Sequence, residues 1–63
     1  MRELDNLEAS LSISKEAMSE FEEIGDVDGK VLALVNIGTA QLGLKQFDEA
    51  LGSFELALNL NPH

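Results

Sequence analysis

The chain contains no cysteine, tryptophan or tyrosine, and only three phenylalanines and one proline in 63 residues. Without thiols there is neither a disulfide nor a thiolate metal site, which fits a reducing compartment. Cations are scarce too: Lys and Arg number 4 against 12 Asp and Glu, for a formal charge of −8. Nucleic-acid binding draws most of its affinity from cationic contacts, and its stacking platforms need aromatic side chains, so this composition argues against it. No apolar run reaches the length of a membrane span, and the acidic N-terminus lacks the basic-then-apolar layout of a signal peptide. A soluble, cytoplasmic protein with no nucleic-acid or membrane partner is expected.

The groups that catalysis requires are missing as well. The only histidine is His63, at a terminus expected to fray, and Ser10, Ser12, Ser14 and Ser19 have no base beside them. Phosphate loops and glycine-rich nucleotide turns are absent. Asp26-Val27-Asp28-Gly29 resembles the middle of a calcium loop, but the first ligand would fall on Ile24 and the closing glutamate on Val35. Helix capping is the better role for these aspartates. Glu20, Glu22, Glu23 and Asp26 do not converge on one point of a helix and read as a solvated face. No enzyme, metal or cofactor is expected.

What the chain does contain is helical periodicity, with no pattern of strand period. Three helices are predicted, over residues 3–24, 27–44 and 47–60. The first places Leu4, Leu7, Leu11, Met18 and Phe21 at alternating three- and four-residue steps, interrupted by Ser14, and sets an acidic face opposite. Gly25 would cap its end, and Asp26 or Asp28 would cap the start of the next helix.

The second helix is apolar on almost every side, which marks it as sandwiched. At ~100° per residue it resolves into three faces. Leu34, Ile37, Gly38 and Gln41 suit the following helix; Ala33 and Ala40 suit close approach of the preceding one; Leu32, Val35, Thr39 and Leu42 have no partner. The third helix is expected to bury Phe47, Ala50, Leu51, Phe54 and Leu58, leaving Leu56 and Leu60 to water. Gly38 and Ala50 would supply the clearance at the crossing, and Pro62 would stop the last helix.

Charge is unevenly placed. Nine of the acids stand in residues 1–28, opposed only by Arg2 and Lys15. A neutral or basic peptide is therefore the favoured ligand. A shift of 40 residues aligns Leu7 with Phe47, Leu11 with Leu51, Ala17 with Ala57 and Met18 with Leu58, so the first helix reads as a copy of the third. The match fails where Ser10 stands opposite Ala50 and Ser14 opposite Phe54.

The offsets Leu34-x2-Ile37-Gly38-x2-Gln41, then Ala50-x3-Phe54, Ala57 and Pro62, resemble the tetratricopeptide repeat. The resemblance covers residues 31–62 specifically and residues 7–26 more loosely. It implies an all-α fragment of a helical solenoid built from antiparallel helix-turn-helix units, as a single domain over residues 1–63. Residues 1–26 would form helix B of a partial repeat, and residues 27–62 one complete repeat. The Glu23-Ile24-Gly25-Asp26 junction and long first helix look like the extended-repeat subgroup found in cargo adaptors and polarity scaffolds.

In that family the concave surface holds a peptide. Carried onto this chain, its positions are Leu32, Val35, Asn36, Thr39, Leu42 and Gly43. Asn36 is the most informative, since a side-chain amide both donates and accepts and so satisfies an extended peptide's backbone. No Lys or Arg stands at Leu32, Val35, Asn36 or Thr39, so a clamp for a terminal carboxylate is missing. Lys45 occupies a position where the family usually has a left-handed glycine, at a cost of roughly 1 kcal/mol or more. Leu56 replaces a residue that is usually charged. The expected function is a protein-interaction scaffold. The alternative is self-assembly into a homodimer or array through Leu56, Leu60 and other open apolar faces, with the second and third helices merging and exchanging between chains. A homo-oligomer is expected in either case.

Overall fold

The computed structural model describes residues 3–60 and is all-α: α1 spans Glu3–Ile24, α2 Val27–Gly43 and α3 Phe47–Leu60. The three spans agree with those predicted, apart from Leu44, which has passed into the turn. Pro62 and His63 lie outside the described residues.

Two turns of the same type set the helices antiparallel. After α1, Asp26 N–H donates to Phe21 C=O at 2.9 Å and Gly25 N–H to Glu22 C=O at 3.2 Å, with Gly25 at φ +74°. After α2, Gln46 N–H donates to Gln41 C=O at 2.8 Å and Lys45 N–H to Leu42 C=O at 3.0 Å, with Lys45 at φ +64°. Both are Schellman closures, in which one left-handed residue lets the chain satisfy its last carbonyls and reverse. Gly25 enters that conformation freely, whereas the Cβ of Lys45 meets a steric cost. Helices α2 and α3 are a hairpin, not one merged helix. The entry to α2 is fixed by Asp26, whose Oδ1 accepts from Gly29 N–H at 2.9 Å.

Both α1 and α3 pack on α2 and, among the described residues, not on each other. Antiparallel pairing is evident from the neighbours along the chain: Phe21 lies by Gly29 and Leu7 by Gly43, while Phe54 lies by Gly38 and Ser53 by Gln41. The glycines create the clearance. A Cβ on Gly38 would stand 2.7 Å from the Phe54 ring, and one on Gly43 2.9 Å from a methyl of Leu7, distances that only a shift of the neighbour would relieve.

The core consists of Ala33, Leu34, Ile37, Ala40, Ala50 and Ala57. Its α2 members are those expected, as is the burial of Gly38 and Gln41. The α3 members are partly different. Phe47, Leu51 and Leu58 are 61%, 60% and 64% exposed, and Phe54 is half-buried. Instead α3 meets α2 through Ala50, Ser53 and Ala57. Small side chains let the two backbones approach, and the large residues are displaced to the flank of the contact. Ser53 was not expected in the core. It enters by donating to Gln41 Oε1 at 2.7 Å, a buried polar pair in which each group would cost about 1–3 kcal/mol if left alone.

On α1 the predicted apolar row is half-buried at Leu7, Leu11, Met18 and Phe21, with Ser14 lying within the row; Leu4 is exposed. Lys30 Nζ of α2 reaches Glu22 Oε2 of α1 at 3.2 Å, a surface pair contributing about 1 kcal/mol or less. The molecule measures only 13 Å through its thinnest direction. The accessible surface is 4589 Å² for a mass of 6.8 kDa, where a compact monomer of that mass exposes roughly 4,000 Å².

Candidate functional site

Helix α2 is gripped on two flanks and free on a third. Its α1 flank carries Ala33 and Ala40, its α3 flank Leu34, Ile37, Gly38 and Gln41, all buried. Leu32, Val35, Asn36, Thr39, Leu42 and Gly43 are all exposed. At ~100° per residue these six fall within one arc, so they form a continuous strip along the helix. The arrangement follows from the sequence: small or interlocking residues occupy the contact positions, and Leu32, Val35 and Leu42 are too bulky for a close crossing.

Leu32 is 61% exposed, Leu42 50% and Val35 38%. Three aliphatic side chains on one face form a patch that water covers poorly. Thr39 Oγ1 donates to Val35 C=O at 2.8 Å, which commits the hydroxyl proton to the helix and leaves the oxygen able to accept. Asn36 offers both a donor and an acceptor beside it.

The strip does not stand alone. Asn36, Thr39 and Ala40 form one wall of a groove of about 340 Å³ whose other wall is Leu7, Ser10, Ile13 and Ser14 of α1. Ile13 is 66% exposed there. Sequence reasoning did not place Ser10, Ile13 or Ser14 in a site; it set the serines aside for want of a base partner and read Leu7 only as part of the apolar row. A signal was nevertheless present: Ser10 and Ser14 are the positions where α1 departs from its copy in α3. In α3 the equivalent face holds Ala50, Ser53, Phe54 and Ala57 and is packed against α2; in α1 the same face borders the groove.

No family model, curated protein or solved structure matches the chain.

The groove is lined by neutral side chains. Glu16 and Glu20, three and seven residues after Ile13, share its side of α1 and are exposed. Gly43 has a second task, because its missing side chain admits Leu7 of α1. It therefore sets the α1–α2 approach at the end of the strip.

The two residues expected at an oligomer interface, Leu56 and Leu60, are exposed on the other side of the molecule. With Met18 of α1, Leu34 and Lys30 of α2, Glu22 and Asn59 they line a separate groove of about 300 Å³. Asp26, part of the calcium-like run, spends a carboxylate oxygen on the Gly29 amide as an N-cap. No helix among the described residues is long and apolar enough to cross a membrane.

Proposed function

We propose that the chain is a protein-interaction module of tetratricopeptide type, which holds a neutral or basic peptide along the exposed face of α2. The observation that carries this reading is the open strip Leu32, Val35, Asn36, Thr39, Leu42 and Gly43 beside a groove that already contains Asn36 and Thr39. Aliphatic residues would take the peptide's apolar side chains. Asn36 would hold its backbone, and Ile13 of α1 would form the far wall. Glu16 and Glu20, exposed further along the same side of α1 as Ile13, would favour cationic residues flanking the bound segment. The antiparallel hairpin of α2 and α3 supports the family reading, as does the left-handed Lys45 at the position that reading assigns to glycine. The activity is binding, in a cytoplasmic setting, without cofactor or catalysis.

Isothermal titration against a library of neutral and basic peptides with blocked termini tests this. Val35→Glu is expected to weaken the best binder at least ~10-fold, which corresponds to about 1.4 kcal/mol, and Asn36→Ala to weaken it several-fold. Unchanged affinity in both variants would place the peptide elsewhere.

A second reading, self-assembly, is favoured by the apolar groove at Met18, Leu34, Leu56 and Leu60. Sedimentation equilibrium separates the two readings, since a monomer at every concentration removes assembly and leaves peptide binding.

A further inference from the structure

All three helices contribute to the groove of about 300 Å³: Met18 and Glu22 from α1, Lys30 and Leu34 from α2, Leu56 and Leu60 from α3. A further groove of about 290 Å³ lies toward the N-terminal end of α1, with Glu8, Leu11 and Lys15 on one wall and Leu44 and Gln46 of the second turn on the other. At ~100° per residue Glu8, Leu11, Lys15, Met18 and Glu22 fall within one arc of α1, so the two grooves share a side of the molecule. Ser10 and Ile13 fall outside that arc.

Charge singles this side out. Among the described residues the lysines are Lys15, Lys30 and Lys45. The first two line these grooves, and each groove also holds a glutamate, Glu8 with Lys15 and Glu22 with Lys30. Glu49 shares the side of α3 that carries Leu56 and Leu60. Elsewhere the exposed acids, among them Glu16, Glu20, Asp48 and Glu55, have only Lys45 against them. A chain of formal charge −8 repels its own copies over most of its surface, and least here, where cations and acids stand together. A cationic partner is drawn to the acidic faces instead.

Shape agrees with charge. Leu56 and Leu60, one turn apart on α3, form an exposed ridge beside a groove that contains buried Leu34 and half-buried Met18. A ridge next to a groove is self-complementary about a two-fold axis, since the ridge of each copy can enter the groove of the other. The ion pair obeys the same symmetry. Lys30 Nζ and Glu22 Oε2 are 3.2 Å apart and both side chains reach solvent, so a two-fold through the groove sets Lys30 of each copy against Glu22 of the other.

We infer that this side of the molecule is the interface of a symmetric dimer. In it the ridge of Leu56 and Leu60 enters the second copy's groove at Met18 and Leu34, and Lys30 exchanges Glu22 of its own chain for Glu22 of the other. The inference rests on the self-assembly reading and gives that reading a geometry. The hairpin of α2 and α3 stays intact, so no helix is exchanged. The strip from Leu32 to Gly43 lies on the opposite side of α2 from Lys30 and Leu34 and stays open in the dimer.

Sedimentation equilibrium of the full chain at several concentrations is expected to show monomer and dimer in exchange. Leu56→Glu is expected to weaken the dimer at least ~10-fold with helical circular dichroism unchanged. Lys30→Glu and Glu22→Lys each set like charges across the axis, and each alone is expected to weaken the dimer several-fold. Mixed in equal amounts, the two variants place opposite charges at both crossings, and dimerisation is expected to return toward that of the unaltered chain. Such rescue is a property of an interface, because a pair within one chain is not repaired by mixing. A monomer at every concentration overturns the inference together with the self-assembly reading. A dimer that is insensitive to Leu56→Glu, or that mixing does not restore, overturns this geometry and leaves self-assembly through another face. The inference also falls if the chain stays monomeric while a peptide of the library shifts the NMR signals of Met18, Leu56 and Leu60, since the occupant is then a foreign segment.

Discussion

Helices α1 and α3 are copies of one pattern that use different sides of it. Seen from α2, α3 presents Ala50, Ser53 and Ala57, while α1 presents Leu7, Leu11, Met18 and Phe21. Each leaves bare what the other covers: Ser10 and Ile13 stay open on α1, and Phe47, Leu51 and Leu58 on α3. The lesson is that one helical pattern offers two faces able to pack, and each copy uses a different one. Among the described residues α1 and α3 each pack on α2 alone, so each keeps its other face exposed.

The largest effect expected from breaking this comparison is at one register position in the two copies. Ala50→Glu would place a carboxylate where only 2% of the residue is exposed. Burying an unpaired charge costs on the order of 3–5 kcal/mol, comparable with the whole stability of so small a core. Ser10→Glu, at the matching position of α1, is expected to change stability by about 0.5 kcal/mol or less. Urea unfolding followed by circular dichroism checks both. Equal losses would mean that α1 and α3 present the same face to α2.

A smaller effect compares the two turns. Both close through a left-handed residue, but only one is glycine. Lys45→Gly is expected to stabilise the chain by about 0.5–1 kcal/mol, and Gly25→Ala to destabilise it by about 1 kcal/mol or more. Thermal unfolding reads both. No gain from Lys45→Gly would show that the turn is held by something other than its two backbone hydrogen bonds.

Much of the fold was legible in the residues because the signals were local. Gly25 and Asp26 mark a stop and a start, and the three faces of α2 follow from helical period and side-chain size alone. The α3 contact was legible only in part. Periodicity groups Phe47, Leu51, Phe54 and Leu58 on one side, and hydrophobicity makes that side look like the core. Close approach of backbones instead rewards Ala50, Ser53 and Ala57, a preference set by the geometry of the pair and not by either helix. The hydrogen bond between Ser53 and Gln41 is likewise a property of two chain segments, invisible to any single-helix pattern. The α1 wall of the groove was hidden for the same reason: Ile13 and Ser14 gain meaning only once Asn36 stands opposite.

Solvent paramagnetic relaxation of methyl protons, with an inert gadolinium chelate, tests most directly which faces are open. Strong relaxation is expected at Val35, Leu42, Leu51 and Leu58, with Leu34 and Ile37 protected and Leu11 between the two groups. Protection of Leu51 and Leu58 equal to that of Leu34 in a monomer would contradict the unequal use of the two copies.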